Sequence, residues 1–244
     1  MRTFVAEHFA PWSEKARWAL DHHRLTYAYR EHVPLIGEPL LRIRARKLRG
    51  RVSTPLLITP HEVLADSFAI ARHADRIGSG ATLFPQGADI EGWNARSEAA
   101  LAAGRVLYLD RFAGDPAAKV EMLPPFLPEK ARRAAMPMAD VAIAFLRRKY
   151  GIDAASCAEA EATLVRELEG LRAALGGRPW VLRECFSYAD VAMAVTLQFV
   201  APVDARYIAL GPATRASWSH PGLAERFADL VAWRDALYER HRRG

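Results

Sequence analysis

The pattern of apolar and polar residues changes character partway along the chain. Over residues 1–80, short apolar runs that suit strands alternate with segments whose apolar residues recur at helical spacing. From about residue 88 onward the pattern is helical throughout. We therefore expect an α/β domain over residues 1–80 and an all-helical domain over residues 88–244, joined by a linker at residues 81–87. Helices of the second domain are predicted near residues 89–113, 129–150, 156–175, 187–200 and 221–241.

Strand and helix patterns alternate within the first domain. Residues 3–8 and 25–32 suit strands, and residues 13–23 between them carry apolar side chains at helical spacing. Two further apolar runs, on either side of a turn at Pro60 and His61, predict a β-hairpin. The expected order is β-α-β, an irregular helix, and then β-β-α.

The helix after the hairpin has recognisable ends. Asp66 or Ser67 is expected to cap its start, and a Gly-Ser-Gly run is expected to end it. Ile70, Ala74 and Ile77 recur at helical spacing, which predicts a buried stripe.

Composition and charge place the chain among ordinary globular proteins. Its 244 residues correspond to about 1.6 average domains. A hydrophobic share of 51% and a charged share of 25% argue against long disorder, collagen-like repeats and a fibrous coil. The net charge of +6 comes mostly from arginine, which suits anionic small ligands as well as nucleic acid.

Several function classes find no support in the sequence. Cys157 and Cys185 form no CxxC pair, so neither a disulfide framework nor a metal site is predicted, and a reducing compartment is expected. His22 and His23 are adjacent at a helix end, and we interpret them as surface residues rather than metal ligands. GxSxG, GxGxxG and GxxxxGK motifs are absent. Neither a signal peptide nor a run of about 18 apolar residues is recognisable, so a soluble, cytoplasmic protein is expected.

Three separated segments carry a family resemblance through their order and spacing. The first is FAPWSEKARWAL at residues 9–20, and the second is VSTPLL at 52–57 followed by VLADSFAI at 63–70. The third is RPWV at 178–181 followed by FSYADVA at 186–192, where Ser187 and Asp190 have the spacing of a helix capping box. Together they resemble the glutathione S-transferase superfamily over nearly the whole chain. The resemblance implies a thioredoxin-like α/β N-terminal domain followed by an all-α helical bundle.

The second segment matches the family's glutathione-binding residues. The proline that matches Pro55 is cis in the family, which presents the backbone N–H and C=O of Thr54 to the cysteinyl part of glutathione. Asp66 and Ser67 match an acidic residue and serine that bind the γ-glutamyl end. The carboxylate meets its ammonium group, and the hydroxyl with the helix N-terminus meets its carboxylate. The family more often has Glu or Gln in the place of Asp66.

The first segment matches the place where the family docks and activates the glutathione thiol. A hydrogen-bond donor at the sulfur would lower the thiol pKa from about 8.5. The position of the family's catalytic serine or cysteine is Ala10 here. Ser13 is the nearest hydroxyl and is the predicted catalytic residue, with an ordinary first-turn serine as the alternative. Trp12 is predicted to line the thiol pocket, and the helix dipole favours a thiolate.

Other polar and aromatic residues have two interpretations each. Tyr108, Phe112 and Trp218 either line a pocket for the electrophile or pack in the core. A basic run lies where family members bind the glycyl carboxylate of glutathione. One or two of its members are predicted to do so, the rest forming a solvated face. The run consists of Arg42, Arg44, Arg46, Lys47, Arg49 and Arg51.

The predicted function is that of a glutathione transferase. Glutathione is the co-substrate, its thiolate is promoted, and the sulfur is conjugated to a hydrophobic electrophile, as in detoxification. Two alternatives stay open: a non-catalytic glutathione-binding or scaffold protein, which Ala10 favours, and a glutathione-dependent isomerase or dehalogenase. A homodimer without a metal, nucleic acid or membrane partner is expected. Residues 104–150 resemble no class closely enough to name the electrophile.

Overall fold

The chain divides into two compact units. The computed structural model describes residues 1–33, 37–47, 49–50, 52–123 and 128–242. One unit contains Met1–Asn94, Arg178–Val195 and Ala236–Gly244. The other contains Ala95–Gly177 and Thr196–Asp235. We refer to them as the first and second units.

A four-stranded sheet lies in the first unit. Its strands are β1 (Thr3–Ala6), β2 (Ala28–Glu31), β3 (Leu56–Ile58) and β4 (Val63–Ala65), in the order β2-β1-β3-β4. β1 is parallel to β2 and antiparallel to β3, and β4 is antiparallel to β3. The predicted β-α-β order and the hairpin are confirmed, although each strand is shorter than expected.

The register of β1 and β2 brings the carboxyl ends of these two strands side by side. Ala6 lies opposite Glu31, the last residue of β2. The segment that follows β1 therefore leaves the sheet beside the end of β2. In open α/β sheets, the carboxyl ends of parallel strands are a common place for ligands.

Three helices accompany the strands: α1 (Pro11–His22), α2 (Glu38–Arg44) and α3 (Ser67–Ile77). α1 begins with Pro11, whose missing N–H costs nothing at the first helical position. α2 packs through Leu41 on Val5 and Leu56, all of which are buried. The irregular helix predicted between β2 and the hairpin is therefore α2.

α3 begins at a cap formed by the Asp66 side chain, as expected, but its buried face differs from the prediction. Ile70 and Ala74 have no exposed surface, whereas Ile77 is 41% exposed. The prediction for Ile77 was wrong because Ile77 is the last helical residue and no further turn covers it. The interpretation of His23 as a surface residue is also wrong, because His23 is only 1% exposed. The chain passes so close at Gly78 that an added Cβ would lie 2.3 Å from the Cβ of His23.

The predicted capping box lies at the start of α9 (Tyr188–Thr196) in the first unit. The Asp190 carboxylate accepts from the Ser187 backbone N–H at 2.8 Å, so it reaches back as predicted. The Ser187 hydroxyl donates to the same carboxylate at 2.9 Å, and the Val181 N–H donates to its other oxygen at 2.7 Å. Burial raises the pKa of Asp190 to about 6, against these hydrogen bonds, which lower it. The box therefore also holds the chain at Val181.

The remaining secondary structure is helical, which confirms the predicted fold class. Two predicted helices are broken. Pro137 follows the break at Ala135, where the chain restarts with a proline in the first turn of the next helix. Phe227 separates the last two helices. Two short helices were not predicted, since neither is long enough to show a clear period. The further elements are α4 (Ile90–Ala113), α5 (Pro116–Met122), α6 (Glu129–Ala134), α7 (Met136–Tyr150), α8 (Ala154–Leu175), a 3₁₀ turn (Leu197–Phe199), α10 (Pro212–Trp218), α11 (Pro221–Arg226) and α12 (Ala228–His241).

An aromatic cluster forms part of the core of the second unit. The rings of Phe199 and Trp218 stack with centroids 4.6 Å apart, and Tyr108 lies 4.6 Å from Trp218. Phe112 packs on Tyr108 at 5.4 Å. All four residues are buried, so Tyr108, Phe112 and Trp218 pack in the core.

Among the described residues, no helix combines the length and apolarity required to cross a membrane.

Candidate functional site

The candidate site lies where β1 leads into α1. Ala10 occupies the N-cap position with extended backbone, and it has no side-chain oxygen to cap the helix. The Ala10 N–H donates to the Glu7 carbonyl at 3.2 Å, which closes the loop between strand and helix. The N-terminal end of α1 consequently lies beside the end of β1, with its dipole favouring an anion there.

Ser13 is the third residue of α1 and has no exposed surface. Its hydroxyl oxygen accepts from the Glu7 backbone N–H at 3.3 Å. Trp12, one residue earlier, is half-buried. The Ser13 hydroxyl therefore fixes the loop that precedes the helix, with its own proton still available for donation.

Thr54 and Pro55 directly precede β3, and Thr54 contacts the same loop. Their peptide bond is cis. The Thr54 hydroxyl donates to Oε1 of Glu7 at 2.9 Å. The Asp66 N–H donates to the Pro55 carbonyl at 3.4 Å. Thr54, Pro55, Asp66 and Ser13 are thus linked through Glu7 or through direct hydrogen bonds.

Asp66 and Ser67 form the start of α3. Asp66 is exposed and has a φ of 120°, uncommon for a residue other than glycine and typical of constrained functional positions. Its carboxylate accepts from the Phe68 N–H at 2.9 Å. Ser67 is 1% exposed, and its hydroxyl has no hydrogen-bond partner among the described residues. Buried hydroxyl groups are rarely left in this state, so a missing partner has to be explained.

Glu7 is a site residue that the sequence did not reveal. It contacts two predicted site residues, Ser13 through its backbone and Thr54 through its carboxylate. Burial raises the pKa of Glu7, the Thr54 hydrogen bond opposes that rise, and the carboxylates of Glu31 and Glu38 add to it. No motif marks this residue, because its partners come from other parts of the chain.

A second polar group, His8 with Glu31 and Tyr29, lies at the same edge of the sheet. Oε1 of Glu31 accepts from the His8 backbone N–H at 3.1 Å and lies 3.1 Å from the ring Nδ1. The Tyr29 hydroxyl donates to the other oxygen of Glu31. These residues also had no sequence motif.

The basic run is mostly solvent-exposed where it is described. Arg42 and Arg44 are half-buried, and the Arg42 guanidinium donates to the Gly50 carbonyl at 2.8 Å. The run's other described members, Arg46, Lys47 and Arg49, are exposed, and Arg51 lies outside the described residues.

Among the described residues there is no metal-binding cluster, and both cysteines are free. No cluster of three or more His, Cys, Asp or Glu residues there could hold a metal ion. Cys157 is half-buried, Cys185 is exposed, and neither is in a disulfide.

Family models match two parts of the chain. Residues 9–77 match the model described as glutathione S-transferase, N-terminal domain. Residues 138–236 match the model described as glutathione S-transferase, C-terminal domain. The first match contains every residue of the candidate site except Glu7 and His8. No curated protein matches the chain.

Solved structures share the fold at low sequence identity. A glutathione S-transferase from Methylobacillus flagellatus KT with glutathione bound is 18% identical, with a TM-score of 0.62, covering 98% of this chain and 95% of the other. One from Methylobacterium radiotolerans JCM 2831, in complex with glutathione sulfonate, is 15% identical, with a TM-score of 0.63 and coverages of 98% and 91%. A beta-etherase from Sphingobium sp. strain SYK-6 is 14% identical, with a TM-score of 0.62 and coverages of 97% and 94%.

Proposed function

The chain belongs to the glutathione S-transferase superfamily, and from this membership we propose that it binds glutathione, promotes its thiolate and transfers the sulfur to a hydrophobic electrophile, as in detoxification. Solved structures of similar fold carry glutathione or glutathione sulfonate, which supports glutathione as the co-substrate. No metal takes part in the proposed chemistry.

The observation that carries the binding proposal is the buried hydroxyl of Ser67, which has no hydrogen-bond partner among the residues that the structure describes and lies at the start of an 11-residue helix. A carboxylate is the partner that suits a hydroxyl and helix N-terminal N–H groups together. The exposed carboxylate of Asp66, one residue earlier, suits an ammonium group. The γ-glutamyl end of glutathione carries both groups on one carbon atom. Thr54, next to Pro55, would pair its backbone with the cysteinyl part.

Thiol activation is assigned to the start of α1. The helix dipole favours a thiolate near Ala10, and the Ser13 hydroxyl has a proton to donate while its oxygen accepts from Glu7. Trp12 would line the thiol pocket. Lowering the thiol pKa by about two units from about 8.5 makes the thiolate the main species at neutral pH.

A non-catalytic glutathione-binding protein is the second candidate. Ala10 lacks the hydroxyl or thiol of the family's catalytic position, and Ser13 has no exposed surface. Both observations favour binding without strong activation. An isomerase or dehalogenase that recycles glutathione would use the same activated thiol and belongs to the first candidate's chemistry.

A pH titration of glutathione bound to the protein separates the two candidates. Thiolate ultraviolet absorbance is followed with free glutathione as the reference. A saturable signal with a thiol pKa well below the free value is expected for the transferase. Binding with an unshifted pKa would leave only the binding protein, and absence of binding would contradict both.

We also infer a homodimer, as the family resemblance implies. The supporting feature is a stripe of large apolar side chains on α7 in the second unit. Met138, Val141 and Phe145 recur at helical spacing and are 72%, 71% and 52% exposed. Such a patch on a globular protein is typical of an interface. Size-exclusion chromatography with light scattering is expected to give a dimer mass, and Val141→Glu to shift it toward a monomer.

We propose a cytoplasmic location because both cysteines are free. Cys185 is exposed and neither cysteine is paired, which suits a reducing compartment. Fluorescence microscopy of the tagged protein in its native host tests the assignment.

A further inference from the structure

We propose that His8 is a catalytic residue that takes the proton of the glutathione thiol, and that Glu31 positions its ring. The proposal rests on the proposed function, because it assigns a role within the same site. It also gives the site a proton acceptor, which Ala10 does not provide.

The His8 ring is oriented by two contacts to one carboxylate. Oε1 of Glu31 lies 3.1 Å from the backbone nitrogen of His8 and 3.1 Å from its ring Nδ1. Oε2 of Glu31 accepts from the Tyr29 hydroxyl, which lies 3.1 Å from the Ala6 carbonyl oxygen. The carboxylate is thus fixed from both sides, by the loop after β1 and by β2.

This arrangement determines which ring nitrogen of His8 can accept a proton. Burial would raise the pKa of Glu31, but hydrogen bonds from His8 and Tyr29 outweigh it and hold that pKa below its usual value. A carboxylate only accepts hydrogen bonds, so Nδ1 of His8 carries the proton that faces it. In the neutral ring, Nε2 is then left with an open lone pair. A base held by a third group is the general pattern of an activated nucleophile.

His8 lies in the segment where the thiol is expected to dock. It is two residues before Ala10 in the loop at the carboxyl end of β1, and 49% of its side chain is exposed. The charged groups that face it are Glu31, Glu7 at the same loop, and Arg17 of α1, whose guanidinium donates to the His8 carbonyl at 3.3 Å. Histidine is the side chain that serves most often as a general acid or base in proteins.

The proposed reaction is a proton transfer from the glutathione thiol followed by conjugation of the sulfur. The S–H bond of glutathione breaks, and its proton goes to Nε2 of His8. The sulfur keeps the electron pair as a thiolate, paired with the imidazolium ion. That electron pair then forms the carbon–sulfur bond with the electrophile, and the imidazolium ion returns its proton to water or to the leaving group.

The test compares His8→Gln and Glu31→Gln with the unchanged protein and with His61→Gln. His61 is an exposed histidine in the turn between β3 and β4 and serves as the matched control. Two quantities are measured for each protein: the affinity for S-methylglutathione, which has no thiol, and the thiolate absorbance of bound glutathione against pH.

His8→Gln is expected to reduce the thiolate fraction at neutral pH about tenfold or more, while the affinity for S-methylglutathione changes by less than about threefold. Glu31→Gln is expected to fall between His8→Gln and the unchanged protein, because the amide still accepts hydrogen bonds but no longer stabilises the imidazolium ion. His61→Gln is expected to change neither quantity.

Three outcomes would overturn the proposal. An unchanged thiolate titration in His8→Gln would remove His8 from the reaction while leaving the proposed function intact. Parallel losses in S-methylglutathione affinity and thiolate fraction would mean that His8 only supports the loop. If the unchanged protein binds glutathione without lowering its pKa, or does not bind it, the proposed transferase function fails and the role of His8 fails with it.

Discussion

Arg242 and Glu14 form a buried ion pair between the two ends of the first unit's chain. Nε of Arg242 lies 2.7 Å from Oε1 of Glu14, and another guanidinium nitrogen lies 2.8 Å from Asp21. The Glu14 side chain has no exposed surface, and that of Arg242 is 5% exposed. Both carboxylates belong to α1, so the residue after α12 holds the helix whose start lies in the candidate site.

Arg242→Ala is expected to lower the free energy of unfolding by about 3 kcal/mol. The loss follows because Glu14 is left buried without its main partner, although Arg17 keeps a contact to it at 3.3 Å. Chemical denaturation monitored by circular dichroism measures the change. Arg240→Ala is the matched control, since Arg240 is exposed two residues earlier, and it is expected to cost about 1 kcal/mol or less. Equal losses in both variants would refute the structural role of the pair.

Ser67→Ala is expected to separate binding from stability. Glutathione affinity falls about tenfold, because a hydrogen bond to a charged group is lost. The free energy of unfolding stays unchanged or rises, because the removed hydroxyl is buried without a partner among the described residues. Isothermal titration calorimetry and chemical denaturation measure the two effects.

The control for Ser67→Ala is Ser79→Ala, since Ser79 is an exposed serine of the same unit. It is expected to alter neither quantity. Unchanged glutathione affinity in Ser67→Ala would remove Ser67 from the binding site.

Burial of His23 makes stability fall as the pH is lowered. Burial, aided by His22, lowers the pKa of His23, and Asp75 at 3.2 Å only partly opposes this. Below the unfolded pKa of about 6.5 the unfolded chain binds the proton more readily, so the free energy of unfolding decreases with falling pH.

His23→Gln is expected to flatten that decrease between pH 8 and pH 5.5, about the range in which histidine titrates. Denaturant unfolding at several pH values measures it for both proteins. The contribution of Asp190 cancels in the difference because both proteins carry it. His61→Gln, which removes an exposed histidine, should retain the original slope, and a retained slope in His23→Gln would show that His23 does not titrate as its burial implies.

Gly104→Ala is expected to destabilise the second unit by up to about 2 kcal/mol, because overpacking costs about 1–3 kcal/mol and alanine recovers about 1 kcal/mol over glycine in a helix. An added Cβ would lie 2.4 Å from Cδ2 of Phe199, whose ring stacks on Trp218. Gly222→Ala in α11 is the control, since an added Cβ there meets nothing within 4 Å. Thermal unfolding of both variants measures the change, and an unaltered transition in Gly104→Ala would contradict the tight contact.

Local chemistry allowed several elements to be predicted from the sequence. The hairpin around Pro60, the cap at Asp66 and the reach of Asp190 back to Ser187 depend on residues a few positions apart. Such interactions are encoded in short stretches of sequence, so turn chemistry and capping identify them. The family resemblance depended on the same stretches, which is why the fold class was predicted correctly.

Tertiary structure alone determined the rest. Gly78 covers His23, Phe199 fills the space at Gly104, and neither neighbour is close in sequence. The site residues Glu7 and His8 acquire their partners, Thr54 and Glu31, only because β1 lies in the sheet between β2 and β3. The sequence by itself determined the order of strands and helices in the first domain, the start of α3 at Asp66, and the family to which the chain belongs. Which side chains meet was decided by strand register and close packing, because these depend on contacts between distant parts of the chain that no local pattern specifies.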